Sequence, residues 1–137
     1  MPFVHVYYPE YQLNDKELKK KVSNCIHQSL IAHFHIPKDD YFQLFLPYPS
    51  RHFFYDSKYL LENGEKRTNQ MIYISITCGK GRTVEQKKKL YQSIAEGLST
   101  HLAISTTNIF ITLNETPLEN WSFGQGIAQM VNPKEEK

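Results

Sequence analysis

Residues 3–6 read Phe-Val-His-Val and residues 71–74 read Met-Ile-Tyr-Ile, and these two stretches begin two copies of one unit. Aligning residue 3 with residue 71 matches the copies without a gap. The matched pairs are Lys19 and Lys87, Lys20 and Lys88, Leu30 and Leu98, His33 and His101, Ile36 and Ile104, and Phe42 and Phe110. A repeat of this length indicates that one supersecondary unit occurs twice in the chain.

Within each copy the pattern predicts a strand, a helix and a second strand. We expect first strands at about residues 3–8 and 71–77, helices at about 15–34 and 83–101, and second strands at about 40–46 and 107–113. Each helix has an apolar stripe, formed by Leu18, Val22, Ile26, Leu30 and Phe34 and by Leu90, Ile94, Leu98 and Leu102. We interpret both stripes as core. Asn14 with Glu17, and Thr83 with Gln86, have the spacing of helix-capping boxes.

Two β-α-β units predict an α+β fold. Right-handed crossovers make the strands of one copy parallel, and pairing of the copies about a pseudo-twofold axis gives a four-stranded mixed sheet with both helices on one face. The other face is then bare and apolar, so we expect it to be covered by other subunits. We expect a single domain, with repeat 1 at about 2–48, a linker at 49–69, repeat 2 at about 70–116 and a C-terminal motif at 117–131.

Two local expectations concern the connecting segments. The Asn63-Gly64 pair in the linker favours a hairpin or a flap. The charged tail Lys134 to Lys137 is expected to fray.

Composition excludes several classes of partner. Lys and Arg number 16 and Asp and Glu 14, so the net charge is only +2. This is too little positive charge to indicate binding to the phosphates of nucleic acid. Cys25 and Cys78 lack the spacing of a zinc site or disulfide framework, and His33 and His35 point to different sides of a helix, so we expect no metal and reduced thiols. The sequence shows no signal peptide and no run of about 20 apolar residues. We therefore expect a cytoplasmic protein without a membrane partner.

The second residue is a candidate catalytic group. Removal of Met1 would convert the nitrogen of Pro2 into a secondary amine. An α-amino group has an ordinary pKa of about 7.7 to 8.0, and burial or nearby cations lower it, leaving a neutral base near neutrality. Lys80 and Arg82 lie in a glycine-containing turn between a strand and a helix. Lys87, Lys88 and Lys89 follow, and we interpret them as a solvated helix face, with Lys87 adding positive potential near the turn.

Four motifs in order resemble the malonate semialdehyde decarboxylase-like branch of the tautomerase superfamily. They are Pro2, residues 36–43 (Ile-Pro-Lys-Asp-Asp-Tyr-Phe-Gln), residues 77–87 (Thr-Cys-Gly-Lys-Gly-Arg-Thr-Val-Glu-Gln-Lys) and residues 121–126 (Trp-Ser-Phe-Gly-Gln-Gly). The resemblance implies the tandem β-α-β fold, a homotrimer and no cofactor. It also implies catalytic roles for Pro2, Asp40 and Arg82, and substrate binding by Lys80 and Arg82. We expect Trp121 and Phe123 to contribute to substrate binding as an apolar lid, or to form a subunit contact. The chain departs from the family pattern at Lys80, where the family has arginine.

Three functions follow as hypotheses. In the first, neutral Pro2 moves a proton between carbon and oxygen of a small 2-oxo acid whose carboxylate is held by Arg82 and Lys80. In the second, protonated Pro2 assists decarboxylation or hydration of a 3-oxo acid such as malonate semialdehyde, and Asp40 activates water. The third is a ligand-binding or assembly module without catalysis, because β-α-β pairs also build regulatory domains.

Overall fold

The computed structural model describes residues 1–131, which contain two β-α-β units in one sheet. The elements are β1 (Pro2–Pro9), α1 (Lys16–Phe34), β2 (Gln43–Tyr48), β3 (Ile72–Gly79), α2 (Val84–Leu102) and β4 (Ile109–Thr116). Short 3-10 turns occur at Ser50–His52, Thr106–Asn108 and Leu118–Asn120. The expectation for the tail Lys134 to Lys137 lies outside the described residues. Among residues 1–131, no helix has the length and apolar character needed to cross a membrane.

The sheet has the order β2-β1-β3-β4. β1 is parallel to β2, β3 is parallel to β4, and the central pair β1 and β3 is antiparallel. In the central pair Pro2 lies opposite Cys78 and Tyr7 opposite Tyr73, so the two repeats meet about a pseudo-twofold axis. The predicted α+β fold and its mixed four-stranded sheet are therefore confirmed.

Both helices cover one face of the sheet. Alternate residues of the central strands are buried beneath them, namely Val4, Val6 and Tyr8 in β1 and Ile72, Ile74 and Ile76 in β3. The helix residues buried against them include Val22, Ile26, Leu30, Leu90, Ile94 and Leu98, which belong to the two predicted stripes. Full burial of each such side chain contributes about 1.5–3 kcal/mol. The interpretation of the stripes as core is confirmed.

The helix starts match the sequence in one copy and differ in the other. Thr83 and Gln86 form the predicted capping box, with the Thr83 hydroxyl accepting from Gln86 N at 3.1 Å. In α1 the cap is Asp15, whose carboxylate accepts from Glu17 N at 2.9 Å. The Asn14 prediction was wrong because its side chain donates to Tyr11 O, at 3.1 Å, and not to the helix.

The second strand of each copy starts later than predicted. β2 begins at Gln43 because the preceding residues turn, with Asp40 N donating to Pro37 O at 3.0 Å. β4 begins at Ile109 because a 3-10 turn occupies Thr106–Asn108. The described linker contains no strand, so Asn63-Gly64 does not form a hairpin and lies instead in a turn.

The sheet face opposite the helices carries a row of aromatic side chains. Tyr7 and Tyr73 stack across the central pair with ring centroids 5.4 Å apart, and Tyr73 lies 5.4 Å from Phe110 on β4. Leu44 and Phe110 on this face remain nearly half exposed. The chain by itself therefore presents a partly solvated apolar face, as the sequence predicted.

The two helices touch through small residues related by the repeat. The hydroxyls of Ser29 and Ser93 hydrogen bond at 2.7 Å, and the sulfur of Cys25 lies against the backbone of Gly97. Aligning the copies places Cys25 with Ser93 and Ser29 with Gly97, so the two contacts are related by the pseudo-twofold axis. A Cβ atom at position 97 would overlap the sulfur of Cys25.

We expect Gly97→Ala to destabilise the protein by about 1–3 kcal/mol, because overpacking outweighs the gain in helix propensity. In a Cys25→Ala background, where the sulfur is absent, the same change should stabilise by up to about 1 kcal/mol. Urea unfolding of the four proteins measures both effects. Stabilisation by Gly97→Ala in both backgrounds would contradict the close helix contact.

Candidate active site

Pro2 lies where β1 begins and where β3 and β4 end. It is buried at the start of β1 and pairs with Cys78, one residue before the end of β3. Since β4 is parallel to β3, its last residues reach the same edge, and Thr116 lies beside Gly79. The turn after β3, which carries the predicted cations, therefore begins next to the N-terminus of the chain.

Asp40 lies at the same place. Its carboxylate forms an ion pair with the terminal amine of Met1, and the two side chains are only 14% and 7% exposed. The second carboxylate oxygen of Asp40 is buried and has no hydrogen-bond partner among residues 1–131. The turn that delays β2 thus directs a carboxylate at the beginning of the chain, with one oxygen still free to accept a hydrogen bond.

The two predicted cations are placed differently. Arg82 is half-buried, donates to the carbonyls of Gly79 and Phe34 at 3.3 and 3.2 Å, and stacks on the Phe34 ring at 4.8 Å. A guanidinium has five N–H groups, so donors remain for a ligand. Lys80 is exposed and makes no ion pair in the described part of the chain. The structure therefore positions Arg82 at the strand end and leaves Lys80 in solvent.

A second charged pair flanks the site. Lys87 Nζ lies 3.2 Å from a Glu115 carboxylate oxygen, and both side chains are about one-quarter to one-third exposed. Burial raises the pKa of the Cys78 thiol; Arg82, the terminal amine and Lys87 oppose this shift, whereas Glu115 adds to it. The buried Cys78 sulfur thus lies in the electrostatic field of three cations and one carboxylate, directly opposite Pro2.

Neither Glu115 nor Tyr91 was among the predicted site residues. Burial raises the pKa of the Tyr91 hydroxyl, and the positive charge of Lys87 opposes this shift. The available signal for Glu115 was its position at the carboxyl end of β4, the strand predicted to be parallel to β3. Lys87 was interpreted as part of a solvated face, and its pairing with Glu115 shows that it belongs partly to the edge of the site.

The segment after β4 folds back towards this edge. The indole N–H of Trp121 donates to the Thr116 hydroxyl at 2.8 Å, and that hydroxyl donates to Cys78 O at 3.3 Å. The rings of Trp121 and Phe123 stack with centroids 5.5 Å apart, and Phe123 also lies 5.5 Å from Phe42. The two aromatic residues predicted to bind substrate therefore form an apolar wall next to the strand end.

The arrangement supports proton transfer. A secondary amine at Pro2 would have the Asp40 carboxylate on one side and the Arg82 guanidinium near the turn, and the aromatic wall would limit access of water.

Residues 1–131 contain no group of three or more His, Cys, Asp or Glu side chains placed to hold a metal ion.

Comparison with known proteins gives consistent matches. A family model described as "Tautomerase enzyme" matches residues 40–124. The probable tautomerase YusQ of Bacillus subtilis (strain 168) is 41% identical over 131 residues, covering 96% of this chain and 99% of that protein. The probable tautomerase YrdN of the same strain is 30% identical over 120 residues, covering 88% and 90%.

Solved structures share the fold. The structure of FG41 malonate semialdehyde decarboxylase inhibited by 3-bromopropiolate superposes with a TM-score of 0.84 at 24% identity, covering 98% of this chain and 97% of that one. A native fused 4-OT gives a TM-score of 0.74 at 16% identity, covering 94% and 98%. At these identities the superpositions establish the shared architecture.

Proposed function

The chain belongs to the tautomerase family of enzymes, and we propose that it interconverts the enol and keto forms of a small 2-oxo carboxylic acid. The observation that supports this most strongly is the meeting of Pro2, Asp40 and the Arg82 turn at one strand end. These residues come from three separate parts of the sequence.

Pro2 acts as the base once Met1 has been removed. A neutral secondary amine takes the hydroxyl proton of the enol and returns a proton to C3, so the ketone forms and the amine ends neutral. Pro2 is buried at the strand start, and Cys78 opposite it lies close to the positive charges of Arg82 and Lys87. A buried site near cations disfavours the charged form of an amine. No cofactor takes part in this scheme.

Arg82 holds the substrate carboxylate. Its contacts with Gly79 O and Phe34 O fix the guanidinium plane and leave further N–H donors for a bidentate interaction. Lys80 is exposed and supplies a point charge on a flexible side chain. Trp121 and Phe123 shield the pair from water, which strengthens the attraction between guanidinium and carboxylate.

A second candidate is decarboxylation or hydration of a 3-oxo acid such as malonate semialdehyde. The ion pair between Asp40 and the terminal amine favours this reaction, because a nearby carboxylate stabilises a protonated amine. In that case Pro2 acts as an acid and Asp40 activates water.

We expect Arg82→Ala to lower kcat/KM for a 2-oxo acid by about 100-fold or more, because a charged donor to the carboxylate is lost. Lys80→Ala should cost less. Lys80→Arg should raise malonate semialdehyde decarboxylation relative to phenylpyruvate tautomerisation, since it gives the turn a second guanidinium that can bind a carboxylate through two hydrogen bonds. Steady-state assays of both reactions measure these changes.

Lys89→Ala, which removes an exposed cation from the same helix as Lys87, is the matched control and should leave both rates unchanged. Thermal unfolding checks that Arg82→Ala remains folded despite its lost backbone contacts. A folded Arg82→Ala protein with both rates unchanged would show that this turn does not bind the carboxylate. Wild-type protein inactive towards malonate semialdehyde and towards both linear and aromatic 2-oxo acids would favour the non-catalytic module.

We also propose that the chain forms a homotrimer through its bare sheet face. The row of aromatic side chains on β1, β3 and β4 is partly exposed in one chain, and burying it supplies the free energy for association. Among the solved structures sharing the fold is a fused 4-OT described as a symmetric trimer.

Light scattering should therefore give about three times the 16.1 kDa mass of the chain. Phe110→Glu introduces a charge into the aromatic row and should lower the measured mass to that of one chain. Lys88→Glu, an exposed change on the helix side, should leave the mass unchanged. A wild-type monomer at micromolar concentration would disprove the trimer.

A further inference from the structure

We propose that the side chain of Met1 occupies the subsite that receives the substrate's side chain after processing, and that this subsite selects 2-oxo acids with a straight, unbranched apolar chain. The inference rests on the proposed function. The chemical class it names is a linear alkyl or thioether 2-oxo acid.

The first observation is the burial of Met1. The first residue of a chain is ordinarily poorly ordered and solvated, yet the side chain of Met1 is only 7% exposed. Its Cε and Sδ atoms lie against Gly79, and Leu118 lies on the same side. Removal of Met1 therefore leaves a space shaped by an unbranched chain of about four heavy atoms.

The second observation is the position of this space relative to the base. The carbonyl carbon of Met1 is bonded to Pro2 N, so standard bond lengths put Met1 Cα about 2.4 Å from that nitrogen. A substrate carbon exchanging a proton with the amine lies about 3–3.5 Å from it. The reacting C3 of a 2-oxo acid thus falls near Met1 Cα and Cβ, and its substituent follows the methionine chain towards Gly79.

The third observation is the shape and polarity of the far end. A Cβ atom at Gly79 would overlap the Met1 methyl group, and it would lie 3.7 Å from Leu118 Cδ2. The methyl group therefore packs directly against the Gly79 backbone beside apolar Leu118, and this contact suits a methyl terminus better than a ring or a branch. Asp40, which binds the Met1 amine, repels a carboxylate at that point and favours the opposite orientation, with the carboxylate towards Arg82.

Two variants change the subsite in opposite directions. Gly79→Ala shortens it, and the backbone at Gly79 lies outside the left-handed region, so alanine fits without strain. Leu118→Ala widens it at a nearly half-exposed position. Both are tested in protein whose loss of Met1 is verified by intact mass.

The probes are 2-oxobutanoate, 2-oxohexanoate and phenylpyruvate, followed by deuterium exchange at C3. Gly79→Ala should lower kcat/KM for 2-oxohexanoate by about 10- to 100-fold more than it lowers kcat/KM for 2-oxobutanoate, so that any effect on Arg82 common to both acids cancels in the ratio. Leu118→Ala should raise the ratio of phenylpyruvate to 2-oxohexanoate turnover by about tenfold. Equal loss for the short and long acids in Gly79→Ala would overturn the subsite.

Binding separates this inference from the proposed function. Quenching of Trp121, the single tryptophan of the chain, reports 2-oxohexanoate binding without turnover. Binding that Gly79→Ala weakens, with no exchange in wild type, would retain the subsite and refute the tautomerase proposal. Deuterium exchange in wild type without any chain-length preference would retain the tautomerase proposal and refute the subsite. Absence of both binding and exchange would refute both.

Discussion

The antiparallel pairing of β1 with β3 is the constraint on which the rest of the site depends. It sets the first strand residue, Pro2, opposite Cys78, and so brings the start of the chain to the carboxyl end of β3. Parallel pairing of β3 with β4 adds Glu115 and the C-terminal aromatic segment to the same edge. A slip of one residue in the central pair would move Pro2 to the other sheet face and separate it from the Arg82 turn.

Charge at this edge is balanced between opposing groups. Asp40 pairs with the terminal amine, Arg82 and Lys87 bring positive charge close to the neighbouring Cys78 thiol, and Glu115 pairs with Lys87. The two candidate reactions differ in which of these influences prevails. Burial acts in the same direction as the cations, because an amine loses hydration of its charged form when it is removed from water. The proposed tautomerisation requires that the cations and burial prevail, and the alternative decarboxylation or hydration requires that Asp40 prevails.

Much of the fold could be predicted from the sequence because the repeat carries it. Matching residue 3 with residue 71 determined the number of strands and their direction within each copy, and the stripes identified the covered face. The repeat could not locate the cap of α1, since Asn14 and Asp15 are adjacent cap-forming residues and the choice depends on one local backbone turn. β2 and β4 begin later than predicted because local turns precede Gln43 and Ile109, and the repeat does not predict these turns.

The candidate site was less predictable than the fold. The resemblance named Pro2, Asp40 and Arg82, and the structure brings these residues to one edge. It could not show that Lys80 remains in solvent or that Lys87 pairs with Glu115, because both outcomes depend on side-chain packing. The burial of Met1 against Gly79 was also invisible, because it needs the three-dimensional position of a turn 78 residues away.

The central claim is that Pro2 carries a free amine that is neutral near pH 7. Proline labelled with ¹⁵N tests it directly, because of the seven prolines only one at the chain start has a titratable nitrogen. The account predicts one ¹⁵N resonance that titrates with a pKa below about 7. A pKa above about 8 would contradict the base assignment in favour of the acid, and the absence of any titrating proline nitrogen would contradict both.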